Sequence, residues 1–289
     1  MRIVRTKAEL REALSQARRE DRSIGLVPTM GALHEGHLAL LRAARERCDV
    51  VVMSLFVNPT QFRPGEDLHS YPRDEARDAE LAAAEGVDLI YAPAVEEVYP
   101  DGFATAVEVG GGLTDVLDGD PSRRGPEHFR GVTTVVAKLF NSVQPDVAFF
   151  GQKDGQQAVV IRRMVRDLDL PIEIVVVPTV RDPDGLALSS RNAYLEPAER
   201  ERATALSQAL KAAAEVAASG EPSVAAALEA ARAELDAAGI EPEYLEARDA
   251  EGLAPVQSFN GRPVIVAVAA RVGKARLIDN VVIAGEPPA

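Results

Sequence analysis

The stretch Pro28-Thr29-Met30-Gly31-Ala32-Leu33-His34-Glu35-Gly36-His37 decides how this chain is organised. An apolar run, Ile24 to Val27, precedes it and predicts a buried strand, and apolar and basic residues at helical spacing resume at Leu38. We therefore interpret the stretch as a strand, a glycine-containing tight turn and the start of a helix. A helix N-terminus offers free N–H groups and a positive dipole end, so this turn suits a bound phosphate.

Two histidines of this stretch are candidate phosphate ligands. His34 and His37 lie three residues apart, so they share a face within the first helical turn. Imidazoles there can donate hydrogen bonds to phosphate oxygens. Metal ligation and a purely structural pair are the alternatives, but the order His-Glu-Gly-His is not the H-E-x-x-H zinc signature, whose histidines are four apart. The position just after a strand favours phosphate binding.

Composition limits the classes of protein that the chain can belong to. Its 289 residues, 46% of them hydrophobic, suffice for one large or two ordinary domains. The single cysteine, Cys48, excludes an internal disulfide, and neither a signal peptide pattern nor a transmembrane run is present. We therefore predict a cytoplasmic protein without a membrane partner. The net charge of −13 disfavours binding to nucleic acid, which depends on neutralising phosphates.

The order of apolar segments predicts an α/β fold. Strand-like and helix-like segments alternate about five times up to Val177, which predicts right-handed βαβ units and a parallel sheet. No G-x-G-x-x-G motif follows the first strand, so dinucleotide binding of the usual kind is not expected. After Pro178 the pattern changes to two alanine-rich helices and then strands. We predict two domains, residues 1–178 with the parallel sheet and residues 179–289 with a smaller α+β fold.

Local patterns give narrower predictions for four segments. Residues 110–131 are rich in Gly, Asp, Pro and Arg, and we predict an irregular loop, which at this length is usually either a lid or disordered, followed by a helix over 132–142. In the second domain we predict one helix over 197–218 and another over 223–238.

Polar segments follow several predicted strands. Asn58 and Gln61 come after a near-continuous apolar run, and ligands of open α/β sheets bind beyond the carboxyl ends of the strands. They are candidate contacts for a small polar ligand, although a proline turn with solvated amides has the same spacing. Polar groups also fill the strand-to-helix turn 151–157 and the segment 188–192. Cationic groups at such positions suit a nucleoside triphosphate.

Six motifs in order along the chain carry a resemblance to a known family: P-T-M-G-A-L-H-E-G-H at 28–37, F-V-N-P-T-Q-F at 56–62, Y-P-R at 71–73, H-F-R-G-V at 128–132, F-F-G-Q-K-D-G-Q-Q at 149–157 and G-L-A-L-S-S-R-N at 185–192. On these motifs the chain resembles the pantoate–β-alanine ligases (pantothenate synthetases). That family lies within the H-x-G-H superfamily of nucleotidylyl transferases and class I aminoacyl-tRNA synthetases. The resemblance covers essentially the whole length.

The resemblance implies a reaction and an architecture. It implies a Rossmann-like N-terminal domain that binds ATP and pantoate, and a C-terminal domain that closes over the site. The implied enzyme condenses pantoate with β-alanine through a pantoyl adenylate and releases pyrophosphate and AMP. It also implies Mg²⁺ with the ATP substrate, and a homodimer formed through the N-terminal domain.

The resemblance also assigns roles to residues. The residues implied to act on the phosphates are His34, His37, Lys153, Ser189, Ser190 and Arg191. The wider ATP-binding set adds Pro28, Thr29, Met30, Gly31, Gly151, Gln152, Asp154, Thr179, Val180 and Leu188. The residues implied to hold pantoate are Met30, Asn58, Gln61, Phe62 and Gln157. Asp78 matches a carboxylate that the family associates with Mg²⁺, but Arg77 stands where a second acidic residue is common.

Two other functions remain as alternatives. Another nucleotidyltransferase of the same superfamily would share the histidines and the Ser-Ser-Arg segment, but it would not need the Asn58–Phe62 segment. A tRNA synthetase is disfavoured by the net charge and by the lack of a basic tRNA-binding module. A non-catalytic nucleotide-binding or metal-binding regulator belongs to a different class, and tight ATP binding without turnover would favour it.

Overall fold

The computed structural model describes residues 1–66, 68, 70–259 and 261–284. The chain divides into two compact units. The first consists of Met1–Gly151 and Val160–Pro178, and the second of Gln152–Val159 and Thr179–Ala289. None of the helices within the described ranges is long and apolar enough to span a bilayer.

The first unit is built on a six-stranded parallel sheet. Its strands are β1 (Arg2–Val4), β2 (Ile24–Thr29), β3 (Val50–Leu55), β4 (Leu89–Tyr91), β5 (Val147–Gly151) and β6 (Glu173–Val177). They are ordered β1-β4-β3-β2-β5-β6 across the sheet. The central strands β2 and β3 are almost entirely buried, as the near-continuous apolar runs of the sequence require for a parallel sheet covered on both faces. The predicted α/β class with a parallel sheet is confirmed.

Helices connect these strands. They are α1 (Lys7–Arg19), α2 (Glu35–Arg47), α3 (Glu75–Ala84), α4 (Val95–Val98), α5 (Pro126–Val143) and α6 (Gly155–Asp167). Helix α1 begins as its sequence predicts, with a capping box in which the Thr6 hydroxyl accepts from the Glu9 N–H and the Glu9 carboxylate accepts from the Thr6 N–H.

Helix α5 begins earlier than the sequence predicted. Gly125 adopts a φ of 76°, and Pro126 occupies the first helical turn, where its fixed φ and missing N–H are tolerated. The prediction of irregular structure over 110–131 was therefore wrong for the last six residues. Gly131, which looked like a loop residue, lies inside the helix at a point of close approach to the backbone of Thr60.

The second unit combines helices with an antiparallel sheet. Its elements are α7 (Pro197–Ala203), α8 (Ala205–Ala218), α9 (Val224–Ala237), β7 (Pro242–Asp249), β8 (Val264–Val272) and β9 (Ala275–Ile283). The sheet order is β7-β8-β9, and this confirms the predicted α+β character. The prediction of a single helix over 197–218 is wrong at Thr204, which separates α7 from α8. There the N–H and the hydroxyl of Thr204 both bond to the carbonyl of Glu201, which replaces the regular i−4 bond.

The two faces of this antiparallel sheet have different partners. Val264, Val266 and Val268 of β8 belong to one core with α8 and α9, whose facing alanines are fully buried. Because successive side chains of a strand point to opposite faces, Ile265 and Asn280 lie on the other face. Both are buried, so this face is also covered, and it packs on Gly155 at the start of α6.

Gly131 generates a testable prediction about packing. A Cβ there would press on the carbonyl group of Thr60 and lie 2.8 Å from the N atom of Gln61. We expect Gly131→Ala to lower the free energy of unfolding by about 2 kcal/mol, because overpacking against backbone outweighs the gain in helix propensity. Chemical denaturation measures this. The control is Gly110→Ala, whose Cβ would meet nothing within 4 Å among the described residues. Equal stabilities of the two variants would contradict the close packing.

Candidate active site

The strand order brings the ends of β2, β3 and β5 together at the carboxyl edge of the first sheet. Strand β2 pairs with β3 on one side and with β5 on the other. The sheet continues through β3 to β4 in one direction and through β5 to β6 in the other, so the crevice between β2 and β5 is a topological switch point. The predicted site segments start there: the turn after Thr29, the segment at Asn58, and Gly151.

The turn after β2 is held by Asp78 of α3, whose side chain is 1% exposed. Its carboxylate oxygens accept from the N–H groups of Ala32, at 2.9 Å, and Leu33, at 2.8 Å. Gly31 and Ala32 have φ values of 85° and 52°, and a non-glycine residue in this region costs about 1–2 kcal/mol. A Cβ on Gly31 would lie 2.9 Å from Asp78 Oδ2. Asp78 thus offsets the strain of the turn and sets the path of the chain into α2.

The two histidines cap the N-terminus of α2 reciprocally. His34 Nδ1 accepts from the Gly36 N–H at 3.2 Å, and His37 Nδ1 accepts from the His34 N–H at 3.3 Å. The ring centroids are 4.1 Å apart. A nitrogen that accepts a hydrogen bond carries no proton, so the proton of each neutral imidazole is on Nε2. The cap therefore sets two Nε2–H donors beside a helix N-terminus, an arrangement that suits phosphate oxygens.

Asn58 is 1% exposed, and it orients Gln61. Its Oδ1 accepts from the hydroxyls of Tyr99, at 2.8 Å, and Thr60, at 2.9 Å. Its Nδ2 donates to Gln61 Oε1 at 3.1 Å and to a backbone carbonyl of α5. Because Gln61 accepts through Oε1, its amide NH₂ is directed elsewhere, and Nε2 lies 3.4 Å from the sulfur of Met30. These contacts give Asn58 a positioning role and leave Gln61 with a donor for a ligand.

His128 of α5 also holds the segment that contains Gln61, by a hydrogen bond to the backbone of Gln61. Its Nδ1 lies 2.7 Å from the carbonyl oxygen of Gln61, and its Nε2 lies 3.3 Å from Arg124 Nη1. A guanidinium can only donate, so Nε2 accepts and Nδ1–H donates to the carbonyl. Arg124 in turn pairs with Glu66 at 3.1 Å. Burial, and then the charge of Arg124, lowers the pKa of His128 to about 4, so the ring is neutral at neutral pH.

The second unit brings Lys153 and Ser189 to one small cavity, which Asn192 also lines. The buried Oδ1 of Asn192 has no hydrogen-bond partner within the described part of the chain. Ser189 is the N-cap of a 3₁₀ turn, Ser190–Tyr194, and its Oγ accepts from the Arg191 N–H at 3.3 Å. A cation, a hydroxyl and a short helical N-terminus therefore lie close together, and this set of groups suits an anionic ligand.

The segment over residues 179–188, which contains Thr179, Val180 and Leu188 of the implied ATP-binding set, is a closed turn. The Val180 carbonyl accepts from the Leu188 N–H at 3.0 Å. Arg181 is fixed by two bonds to the buried carboxylate of Asp279, at 2.5 and 3.0 Å. The buried hydroxyl of Thr179 has no hydrogen-bond partner among the residues that the structure describes.

Comparison with known proteins assigns the chain to a family. A family model described as Pantoate-beta-alanine ligase matches residues 2–282. The chain belongs to the pantoate–β-alanine ligase family. It is an enzyme of the ligase class, as predicted, and the known reaction of the family is the ATP-dependent condensation of pantoate with β-alanine.

Relatives of the family match over nearly the whole length. The pantothenate synthetase of Moorella thermoacetica is 56% identical over 284 residues, which are 98% of this chain and 99% of that protein. The crystal structure of pantothenate synthetase from Thermus thermophilus is 53% identical, with a TM-score of 0.91, and covers 97% of this chain and 99% of that one. A pantoate–β-alanine ligase from Francisella tularensis, complexed with beta-gamma ATP and β-alanine, is 33% identical, with a TM-score of 0.79 and 97% coverage of both chains.

The geometry around Asp78 does not fit the magnesium role that the resemblance implies. Both oxygens accept backbone N–H groups, and the side chain is buried, whereas Mg²⁺ needs open oxygen ligands and usually retains waters. Within the described ranges, no group of three or more His, Cys, Asp or Glu side chains could hold a metal ion. Asp78 therefore holds the turn after β2 and does not offer an open ligand to a metal ion.

The predicted site residues other than Asp78 fall into two groups, one in each unit. The first group comprises Pro28, Thr29, Met30, Gly31, His34, His37, Asn58, Gln61, Phe62 and Gly151. The second comprises Gln152, Lys153, Asp154, Gln157, Thr179, Val180, Leu188, Ser189, Ser190 and Arg191. Sequence reasoning missed Tyr99 and the contact of His128 with Gln61. The H-F-R-G-V motif pointed to His128, but no local pattern pointed to Tyr99.

His128 predicts a dependence of stability on pH. Its pKa is about 4 in the folded chain and near its ordinary 6.5 in the unfolded chain, so between these values the unfolded state binds more protons and stability falls as pH falls. His128→Asn keeps a donor for the Gln61 carbonyl but cannot titrate. We expect the loss of unfolding free energy from pH 7 to pH 5 to be about 2 kcal/mol larger for the unmodified chain than for the variant. Urea denaturation at both pH values measures it, and parallel profiles would contradict the buried neutral ring.

If Asp78 holds the turn and does not bind a metal ion, a substitution there should lower stability without changing the Mg²⁺ requirement. In Asp78→Asn the amide turns an NH₂ group toward one of the two backbone N–H groups. We expect the free energy of unfolding to fall by about 2 kcal/mol and the KM for ATP to rise. The Mg²⁺ concentration for half-maximal activity at saturating ATP should not change. Asp115→Asn, which removes the same charge from an exposed site, is the control. A higher Mg²⁺ requirement at unchanged stability would favour the metal role instead.

Proposed function

We propose that the chain makes pantothenate in two steps, with pantoyl adenylate as the intermediate. A carboxylate oxygen of pantoate attacks the α-phosphorus of ATP, and the bond to the bridging oxygen breaks to release pyrophosphate. The amine of β-alanine then attacks the acyl carbon, loses a proton and expels AMP. The reciprocal histidine cap of α2 is the observation that carries this proposal, because it sets two imidazole donors at a helix N-terminus beside the switch point.

The first unit supplies positioning and charge stabilisation in this proposal. The Nε2–H groups of His34 and His37 donate to phosphate oxygens, and they gain strength as charge develops on the α-phosphate in the transition state. Their orientation is set before substrate binds, because each Nδ1 is already engaged by a backbone N–H. Fixed donors of this kind need no reorganisation during the reaction.

The second unit supplies groups for the departing pyrophosphate. Lys153 and Ser189 line one cavity, and Ser190 and Arg191 form the turn that Ser189 caps. We propose that this group holds the β- and γ-phosphates and neutralises the charge that leaves with them. No covalent nucleophile is required, and Cys48 is buried, with a pKa raised by burial.

Pantoate is proposed to bind at Gln61. The amide NH₂ of Gln61 is directed by Asn58 and lies beside the apolar side chain of Met30. This position therefore offers both a hydrogen-bond donor and a surface for the methyl groups of pantoate. Phe62, which packs edge-on against Tyr71, extends that apolar surface. The roles of Gln157 toward pantoate, and of Gly151, Gln152, Asp154, Thr179 and Val180 toward the nucleoside, stay predictions from the resemblance.

Four further predictions remain proposals. Mg²⁺ is proposed to arrive with ATP and to be held by the triphosphate. A homodimer, closure of residues 179–289 over the substrates, and a cytoplasmic location also remain to be tested.

Isotope transfer tests the adenylate. With pantoate labelled with ¹⁸O in its carboxylate, attack on the α-phosphorus transfers one labelled oxygen to AMP. We expect labelled AMP only when ATP, pantoate and β-alanine are all present, and pantoate-dependent exchange of pyrophosphate into ATP without β-alanine. Release of ADP and phosphate would overturn the proposal in favour of an acyl phosphate. ATP binding without turnover would favour a regulator.

Two variants separate the roles of the phosphate ligands. His37→Asn retains an acceptor near the position of Nδ1 and removes the Nε2 donor, so we expect unchanged melting and a rate of adenylate formation at least about 100-fold lower. Lys153→Ala should lower that rate by a similar factor. Lys211→Ala, which removes an exposed lysine of α8, is the matched control and should be as active as the unmodified chain. Adenylate formation at the normal rate in either site variant would refute its phosphate role.

A further inference from the structure

We propose that Asn280 of β9 is a positioning residue for Lys153. It sets the conformation of the chain at Lys153 and so directs the lysine side chain toward the phosphates. This inference rests on the proposed function, since it concerns the step in which Lys153 acts. All the residues that carry it belong to the second unit.

Asn280 makes three hydrogen bonds to the turn that contains Lys153. Its Nδ2 donates to the carbonyl oxygens of Gln152, at 2.8 Å, and of Lys153, at 2.9 Å. Its Oδ1 accepts from the Gln152 side-chain Nε2 at 2.7 Å. One side-chain amide thus uses both donor hydrogens and its acceptor on two successive residues.

The two carbonyl contacts determine the backbone of Lys153. The Gln152 carbonyl belongs to the planar peptide unit that precedes the Cα of Lys153, and the Lys153 carbonyl belongs to the unit that follows it. Because peptide units are planar, holding both of them restricts φ and ψ of Lys153 together. The direction of its Cα–Cβ bond follows from these two angles. Asn280 therefore controls where the lysine side chain starts, although it does not touch the amine.

The surroundings of Asn280 favour this role over a general packing role. The side chain is 5% exposed on a sheet face that also carries Ile265, so an apolar residue would cover the face without the cost of burying an amide. Gly155 packs so closely that a Cβ would lie 2.6 Å from Ile265 Cδ1 and 3.0 Å from Asn280 Oδ1. The glycine lets the turn reach the amide. The cavity that Lys153 lines with Ser189 is where the positioned amine acts.

Graded substitutions of Asn280 test the proposal in the full-length protein. Asn280→Ser is too short to reach both carbonyls, and Asn280→Asp places a carboxylate against them. Misplacement of a catalytic group by about 1 Å costs up to about 100-fold in rate. We expect the rate of pantoate-dependent pyrophosphate exchange to fall about 10-fold in the serine variant and further in the aspartate variant. The KM for pantoate should stay unchanged. Asn141→Ser, which removes an exposed amide that also donates to a backbone carbonyl, is the matched control.

A double-mutant cycle separates action through Lys153 from a structural effect. With Lys153→Ala as background, Asn280→Ser should change the exchange rate by less than about 2-fold, because the group that it positions is absent. An equal loss in both backgrounds would overturn the proposal, as would normal exchange by both Asn280 variants. Failure of both variants to fold, judged by melting, would also count against it, because it would assign Asn280 to stability.

Failure of the positioning role of Asn280 can be distinguished from failure of the proposed two-step reaction. If the unmodified chain shows no pantoate-dependent pyrophosphate exchange, the adenylate mechanism fails before any variant is compared. If it shows that exchange and the Asn280 variants match it, only the positioning role of Asn280 fails.

Discussion

The site residues of the first unit depend on two hydrogen bonds, which a buried carboxylate accepts from backbone N–H groups. Asp78 lies far along the chain from the turn that it holds, and it offsets the strain of two successive residues with positive φ. The turn leads directly into His34, the N-cap of α2, so the carboxylate decides where the reciprocal histidine cap forms. Loss of this contact would move both imidazoles together, since each is engaged by the backbone of the same helix start.

The second unit uses adjacent residues of β9 for the same purpose. Asp279 and Asn280 point to opposite faces of their strand, as successive residues must. Asp279 holds Arg181, which follows Thr179 and Val180 of the implied ATP-binding set, and Asn280 holds the turn at Lys153. In both units, therefore, polar side chains on regular elements hold the loops to which we assign the chemistry. This arrangement gives precise positions to loop residues at the cost of burying polar groups, a cost that complete hydrogen bonding offsets.

Sequence patterns predicted what is local or periodic. The alternation of apolar and helical segments predicted the parallel sheet and the α+β part, and the turn after β2 was located from its glycines and histidines. The start of α5 was missed because glycine at position 131 is typical of a loop. The structure shows that a glycine is needed there because the helix lies against the backbone of Thr60. Asn58 was selected as a ligand contact, but its orienting role depends on Tyr99, 41 residues away. Such contacts exist only after folding, so no spacing rule could reveal them.

The overall charge and the local charge of the site act over different distances. A net charge of −13 opposes the approach of ATP, but exposed charges are largely screened beyond about 8 Å at physiological salt. In each unit a buried carboxylate already accepts hydrogen bonds, that of Asp78 from backbone N–H groups and that of Asp279 from Arg181. The groups that we propose act on the phosphates are donors: the Nε2–H groups of the histidine cap, and Lys153, which lines a cavity with Ser189. The negative net charge therefore does not oppose the proposed ATP site locally, because the carboxylates of Asp78 and Asp279 are already paired.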